Sequence, residues 1–246
     1  MKNIFHLDKN WGLFIGSLNE NILHKHYALQ ISIAPNHFLS VTDKNKQEIK
    51  INQCFISSNV VHQLISKGLH LTILINPLCT VGHQLYTEHQ GQAISKLNTN
   101  LAGLLTEKFI AYQTHTITLE VFIKAIRQIL LDFKCNCLSD NHLGEERIYK
   151  AIQYLDSQSD KIISLKEIAS FCCLSETRFL HLFKEKTNLN YRRYQLWNRL
   201  VKSMPYLQSH SITETAHEFG FTDSSHYTRT FIETFGLTPK FFSKPQ

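Results

Sequence analysis

Gly220-Phe221-Thr222-Asp223-Ser224-Ser225-His226-Tyr227-Thr228-Arg229-Thr230-Phe231 is the stretch that decides how the last hundred residues are read. Gly220 through Asp223 has the composition of a tight turn. From Ser224 to Phe235, Tyr227, Phe231 and Phe235 recur at helical spacing as a core-facing stripe. Ser224, Ser225, His226, Thr228 and Arg229 are left on mostly polar ground. Before the turn, Ser211 caps a short helix carrying Ile212, Glu214 and Ala216. A short helix, a turn and a second helix with a polar outer side make a helix-turn-helix, whose second helix is free to enter a groove.

The arrangement occurs once more upstream. Ser164 caps a helix containing Lys166-Glu167-Ile168-Ala169, with Glu167 placed for the return bond of a capping box. Leu174-Ser175 ends a turn, and the next helix runs through Phe179, Leu182 and Phe183. Its other side carries Glu176, Thr177, Arg178, His181 and Lys184. Arg147 to Asp156, with Ile148, Ile152 and Leu155 inward, precedes this first unit as a helix of its own. Between the units the spacing predicts one helix over 190–208, with Tyr194, Trp197, Leu200, Val201, Met204 and Leu207 as its buried stripe. Such a helix spans about 28 Å at ~1.5 Å per residue, against about 34 Å between successive major-groove turns on one DNA face. A rod of that length suits one chain gripping two adjacent grooves.

The run from Gly220 to Phe231, followed by Phe235-Gly236-Leu237-Thr238-Pro239, resembles the C-terminal signature of the AraC/XylS family of transcription regulators. Ile168-Ala169, Leu174-Ser175, Phe179, Leu182-Phe183-Lys184, Tyr194 and Arg199-Leu200 are similar to that family's first unit and linker helix, so the likeness covers about residues 147–242. The resemblance implies base reading by Thr177, Leu180 and His181, with Arg178 beside them, and by Ser224, Ser225, Thr228 and Arg229. Arg229 is the residue best suited to a bidentate bond with guanine. Lys184, Arg192, Arg193 and Lys240 are the expected phosphate contacts, which position without reading sequence. Four residues depart from the family pattern. Cys173 and Asn188 stand where glycines are usual, Ser203 where a small alanine is usual, and Pro205 lies inside the linker helix, which it should kink or shorten.

The first ninety residues read as short strands. Leu13-Phe14-Ile15, His26 to Ile33, Glu48 to Asn52 and Leu69 to Ile75 are separated by turn formers at Pro35-Asn36, Thr42 to Asn45 and Lys67-Gly68. The period changes near residue 90, where Ile94, Leu97, Leu101, Leu104 and Leu105, then Leu119, Phe122, Ile123, Ile126, Ile129, Leu130 and Phe133, predict two amphipathic helices. These either pack on the strands or pair with a second copy of the chain. The family's plan joins its DNA-binding half to a small barrel of the cupin type. His24-Lys25-His26-Tyr27-Ala28-Leu29-Gln30 is similar to the first cupin motif, with Gln30 in place of the acid, and Asn59-Val60-Val61-His62 resembles the region of the second-motif histidine. On a strand, residues 24, 26 and 30 share a face, so His24, His26, Gln30 and His62 are the candidate effector pocket. His24, His26 and His62 are also a candidate metal set, although no metal or other cofactor is expected.

The expected architecture is α+β in two domains: residues 1–137 a small cupin-like β-barrel with following helices, which binds an effector and helps dimerise; 138–146 a linker; 147–246 an all-α DNA-binding domain with two helix-turn-helix units joined by a long helix. The chain has 246 residues, 43% hydrophobic and 19% charged, with a net charge of +6 that permits a polyanionic partner without identifying one. Asp8 and Lys9 break the apolar start, and no apolar run approaches the roughly 20 residues of a membrane span. A cytoplasmic protein with reduced thiols is therefore expected, with Cys135-Asn-Cys137 as an alternative metal or redox pair. Expected partners are double-stranded DNA, a small-molecule effector, RNA polymerase through an activator role, and a second copy of the chain. No nucleophilic triad, phosphate loop or dinucleotide fingerprint points to catalysis, which leaves a metal-dependent cupin enzyme fused to a DNA-binding module as the alternative.

Overall fold

The computed structural model describes residues 3–137, 143–158 and 162–242. Residues 138–142, most of the expected linker, lie outside the described residues. The chain divides into two compact units, the first comprising Met1–Asn136 with Thr234–Gly236, the second Cys137–Glu233 with Leu237–Gln246.

The first unit is built around one long strand. Strands β1 (Ile4–Leu7), β2 (Trp11–Leu18), β3 (Leu29–Ile33), β4 (Leu39–Asp43), β5 (Glu48–Ile51), β6 (Gln53–Ile56), β7 (His62–Ile75) and β8 (Ile94–Ser95) pair antiparallel throughout. Their order is β1-β2-β7-β3-β6-β8, with β4 bridging β5 and β7. The far half of β7 is flanked on both edges, Ile75 facing Trp11 of β2 and Leu29 of β3, while its near half pairs with β4 from Ser40–Ile65 to Asp43–His62. Lys67-Gly68, expected as a turn, lies inside β7. A Cβ on Gly68 would come within 2.8 Å of the His37 ring, so the glycine marks a close approach in a continuing strand.

Helices α2 (Thr99–Gln113) and α3 (Leu119–Asp132) turn Leu101, Leu105, Phe109, Phe122, Ile126 and Leu130 into the core that β2, β3 and β7 line with Leu13, Ile15, Ile31, Leu71 and Ile73. At ~25 cal/mol per Å² of apolar surface, each fully buried side chain of this size contributes roughly 1.5–3 kcal/mol. Helix α1 (Thr80–Glu88) falls in the region read as strands. It is nine residues long with Val81, Gly82 and Leu85 as its buried residues, too short for a periodic stripe to show, and it starts on the Cys79 thiol, which accepts from the Gly82 N–H at 3.4 Å. Ile94 belongs to β8, and the helix expected to begin there starts at Thr99, capped by Asn98.

The second unit is helical: α4 (Glu146–Ser157), α5 (Leu165–Phe171), α6 (Glu176–Thr187), α7 (Tyr191–Leu207), α8 (Ile212–Glu218), α9 (Ser224–Phe235) and a 3-10 turn (Pro239–Phe241). Side-chain oxygens set the starts. Ser164 accepts from Glu167 N, Ser175 from Arg178 N, Asn190 from Arg193 N, Ser211 from Glu214 N, and Asp223 from His226 N. The reciprocal capping box forms at Ser211 and Glu214, whose carboxylate takes the Ser211 N–H at 2.8 Å. Glu167 accepts from the Tyr154 hydroxyl. Pro205 sits in the last turn of α7, two residues from its end, so the bond it removes, to Val201 O, is lost close to the terminus and most of the helix precedes it; the helix spans about 26 Å at ~1.5 Å per residue.

Candidate DNA-binding and ligand sites

In the first helix pair, Phe179, Leu182 and Phe183 of α6 are buried, whereas Thr177, Arg178, Leu180, His181 and Lys184 are exposed. Leu180 is an apolar side chain 39% open to water, the kind of residue that meets a thymine methyl group. The turn before α6 holds Cys173 at φ 54°, and α6 ends on Asn188, also at φ 54°, whose N–H reaches Lys184 O. Both are left-handed positions, as the missing glycines suggested.

In the second pair, Tyr227, Phe231 and Phe235 of α9 are buried. Ser224, Ser225, Thr228 and Arg229 line a surface depression of about 530 Å³ together with Ile212, Thr213, Ile232 and Glu233. The four polar residues thus share one outer surface with the start of α8. Hydrogen bonds from His226 N and Ser225 N hold the Asp223 carboxyl below its usual range, a fixed negative charge at the N-terminus of α9. Arg192, Arg193 and Lys240 are exposed, the first two in the opening turn of α7.

Two residues that the sequence names without giving them a role hold α9 in place. Arg199 of α7 donates from Nη1 to Gly220 O at 2.6 Å and lies over the Phe221 ring at 5.0 Å. It clamps the turn, where Gly220 has φ +67°, and burial lowers its pKa. Ser203 donates to Leu200 O at 2.7 Å and meets Tyr227 OH at 2.9 Å. Burial pushes the Tyr227 hydroxyl up to about 12, against the lowering effect of the Ser203 bond. The signal for Arg199 was its place in the family likeness; that for Ser203 was its departure from it.

In the first unit the structure brings together His24, His26, His62 and Gln30, all buried. The geometric reason differs from the one expected. His24 and His26 lie outside the named strands; His24 meets His62 in an isolated bridge, with N–H to O bonds of 2.9 Å both ways, and Gln30 projects from β3. Gln30 Oε1 is 2.9 Å from His26 Nε2 and 3.2 Å from His62 Nε2. One ring nitrogen of each histidine lies within 4.8 Å of the others. Burial lowers the pKa of all three: His24 falls to about 3, helped by His26, and His62 falls well below 6.5, helped by repulsion from both neighbours. The rings are neutral at physiological pH.

Comparison with known proteins bears on the second unit most directly. Residues 168–244 match the helix-turn-helix domain family. The chain is a DNA-binding transcription regulator, similar to those of the AraC/XylS type. It is 19% identical over 240 residues to the uncharacterized HTH-type transcriptional regulator YdeC of Bacillus subtilis, covering 95% of this chain and 81% of that one. It is 27% identical over 173 residues to the HTH-type transcriptional activator RhaS of Klebsiella pneumoniae, covering 66% of this chain and 62% of RhaS. The fold of the regulator resembles that of an apo ToxT point variant from Vibrio cholerae, with a TM-score of 0.62 at 13% identity, over 95% of this chain and 96% of that one. Wild-type ToxT has also been solved with an unsaturated fatty acid bound (TM-score 0.57, 14% identity, 96% of each chain). Among the described residues of the regulator, no helix is long and apolar enough to cross a membrane.

Proposed function

We propose that this regulator reads DNA with two helices, α6 and α9, and that its first unit, a small barrel of the cupin type, binds a small-molecule effector that governs the reading. The observation that carries the proposal is the division of α9: Tyr227, Phe231 and Phe235 are buried, and Ser224, Ser225, Thr228 and Arg229 open onto one depression large enough for base edges. On α6, Thr177, Arg178, Leu180 and His181 take the same role, and Lys184, Arg192, Arg193 and Lys240 grip phosphates. His24, His26, Gln30 and His62 form the polar wall of the effector site, a reading supported by the fatty acid held by ToxT, a protein of similar fold. Exposed Leu104 and Ile110 of α2 and Val121 and Leu131 of α3 favour a homodimer through these helices. RNA polymerase is the partner that an activator's role requires. Every relative named above is a transcriptional regulator, which favours this reading over a metal-dependent enzyme.

The test is selection of binding sites from random duplex DNA by the purified chain and by Arg229→Ala. Enrichment of two short blocks about one helical turn apart, one of them blurred by the substitution, supports two-headed reading. A single block, or binding without enrichment that only fades with salt, overturns it.

A further inference from the structure

The thiol pair Cys135-Asn-Cys137 enters neither the DNA reading nor the effector site, yet the fold gives it a partner. Helix α1 begins on Cys79, and His83 stands one turn further on, its N–H bonded to Cys79 O at 2.9 Å. Beyond the end of α3, Cys135 N donates to Thr80 O at 3.2 Å, which lays the thiol pair against the first turn of α1. A ring nitrogen of His83 and the Sγ atoms of Cys135 and Cys137 consequently all lie within 4.8 Å of one another. The three residues belong to one continuous described stretch that ends at residue 137, and both cysteines are present as thiols. Cys135 is buried, His83 half-buried and Cys137 exposed, so the group is anchored at one end and open to water at the other.

We propose that His83, Cys135 and Cys137 bind a Zn2+ ion. Neutral thiols are weak donors and acceptors and gain little from one another, whereas two thiolates and an imidazole are soft ligands that select thiophilic ions. The spacing agrees. Bonds of ~2.3 Å to sulfur and ~2.0–2.1 Å to nitrogen place tetrahedral neighbours ~3.8 Å apart for two sulfurs and ~3.6 Å for sulfur and nitrogen. Three atoms already within 4.8 Å close to that geometry by side-chain rotation alone. The charges agree as well: two thiolates and a neutral imidazole carry −2, which a divalent ion cancels in a partly buried place and a monovalent one does not. A set without oxygen ligands disfavours Mg2+ and Ca2+. The fourth position opens beside exposed Cys137 and takes water, as in other three-ligand zinc sites. Cys79 stays outside the set, its Sγ already accepting from Gly82 N at 3.4 Å as the cap of α1. The ion ties the segment after α3 to the start of α1, reinforcing the backbone bond from Cys135 to Thr80. This site stands on its own geometry and does not depend on the DNA reading or on the effector.

The competing use of the pair is a Cys135–Cys137 disulfide without metal. The full chain, reduced and stripped with chelator, is titrated with Co2+ and then with Zn2+. Expected are a thiolate-to-cobalt charge-transfer band that saturates at one ion per chain, its loss as Zn2+ displaces Co2+, and a rise in Tm on adding Zn2+. The band requires sulfur, so cobalt held by histidines alone does not produce it. Cys137→Ser alters an exposed side chain and leaves the fold in place. That variant and His83→Gln should each lower the affinity at least about tenfold, the loss that follows even from removing an outer partner of a ligand. Cys79→Ser keeps an oxygen cap on α1 and should bind as the parent does. A band that survives Cys137→Ser, or a loss in Cys79→Ser as large as that in Cys137→Ser, overturns the three-ligand site. So does a reduced parent that takes up no stoichiometric Co2+; ready formation of the Cys135–Cys137 disulfide in that chain would mark the thiols as a redox pair instead.

Discussion

Tyr227 OH and Ser203 Oγ lie 2.9 Å apart inside the second unit, with both residues fully buried. Because Ser203 donates its own proton to Leu200 O, the tyrosine is the donor in this pair. The bond ties the linker helix α7 to α9. Ser203→Ala should cost about 1–3 kcal/mol by leaving a buried hydroxyl without an acceptor. Tyr227→Phe should cost less, and adding it to Ser203→Ala should recover stability. Urea denaturation of the four chains checks this; purely additive losses would show that the pair is not coupled.

Arg229 and Arg193 are both exposed arginines but should fail differently. Arg229→Ala is expected to cost about 1–3 kcal/mol in DNA affinity and to relax discrimination at one base position, whereas Arg193→Ala should weaken all sequences alike and lower the salt slope by about 1. Titrations at several salt concentrations against matched and mutated sites separate the two effects.

Cys173 and Asn188 share a φ of 54°. A left-handed backbone costs a side-chain-bearing residue about 1–2 kcal/mol, less for asparagine, and glycine gives part of that back through its freer unfolded chain. Cys173→Gly should therefore raise stability by roughly 0.5–1 kcal/mol. Asn188→Gly should be near neutral and Asn188→Ala destabilising. Thermal denaturation orders the three variants.

His70 is buried against Phe14, and desolvation lowers its pKa from 6.5 to about 4. Between those values the unfolded chain takes up a proton that the folded chain refuses. Stability must therefore fall as pH drops from 6.5 towards 4, by about 1.4 kcal/mol per pH unit for each such histidine, and level off below. His70→Leu should show a shallower loss between pH 6.5 and 5 than the parent; equal slopes would exclude His70 as a source of acid sensitivity.

The helical unit was legible because its information is local. From α5 to α9 each helix start is a serine, asparagine or aspartate just outside an apolar stripe, so Ser164, Ser175 and Ser211 could be read within a few residues of context. The strands were less so. Gly68 has the composition of a turn, and only the partners on either side of β7 make it strand, partners that lie tens of residues away. Helix α1 is too short to declare a period. The histidine cluster was found through its motif while its geometry was misread: His24 and His26 reach Gln30 from a loop beside β7, and do not share a strand with it. The roles of Arg199 and Ser203 depend on a turn and a ring some twenty residues further on, which no local pattern reveals.

The position of β7 has a consequence for the order in which the regulator is made. Strands β2, β3 and β4 all take their partner from residues 62–75, so the core of the first unit cannot close until the ribosome has released that segment. Loop-closure entropy then has to be met for pairings as distant as Trp11 with Ile75 before any of them is rewarded. The second unit, with its caps and short helix pairs, has mostly near-neighbour contacts and should form quickly once synthesised. The strand-rich unit is thus the slow half to mature, and a newly made chain has folded helix-turn-helix pairs before it has a closed sheet unless translation gives the strands a head start.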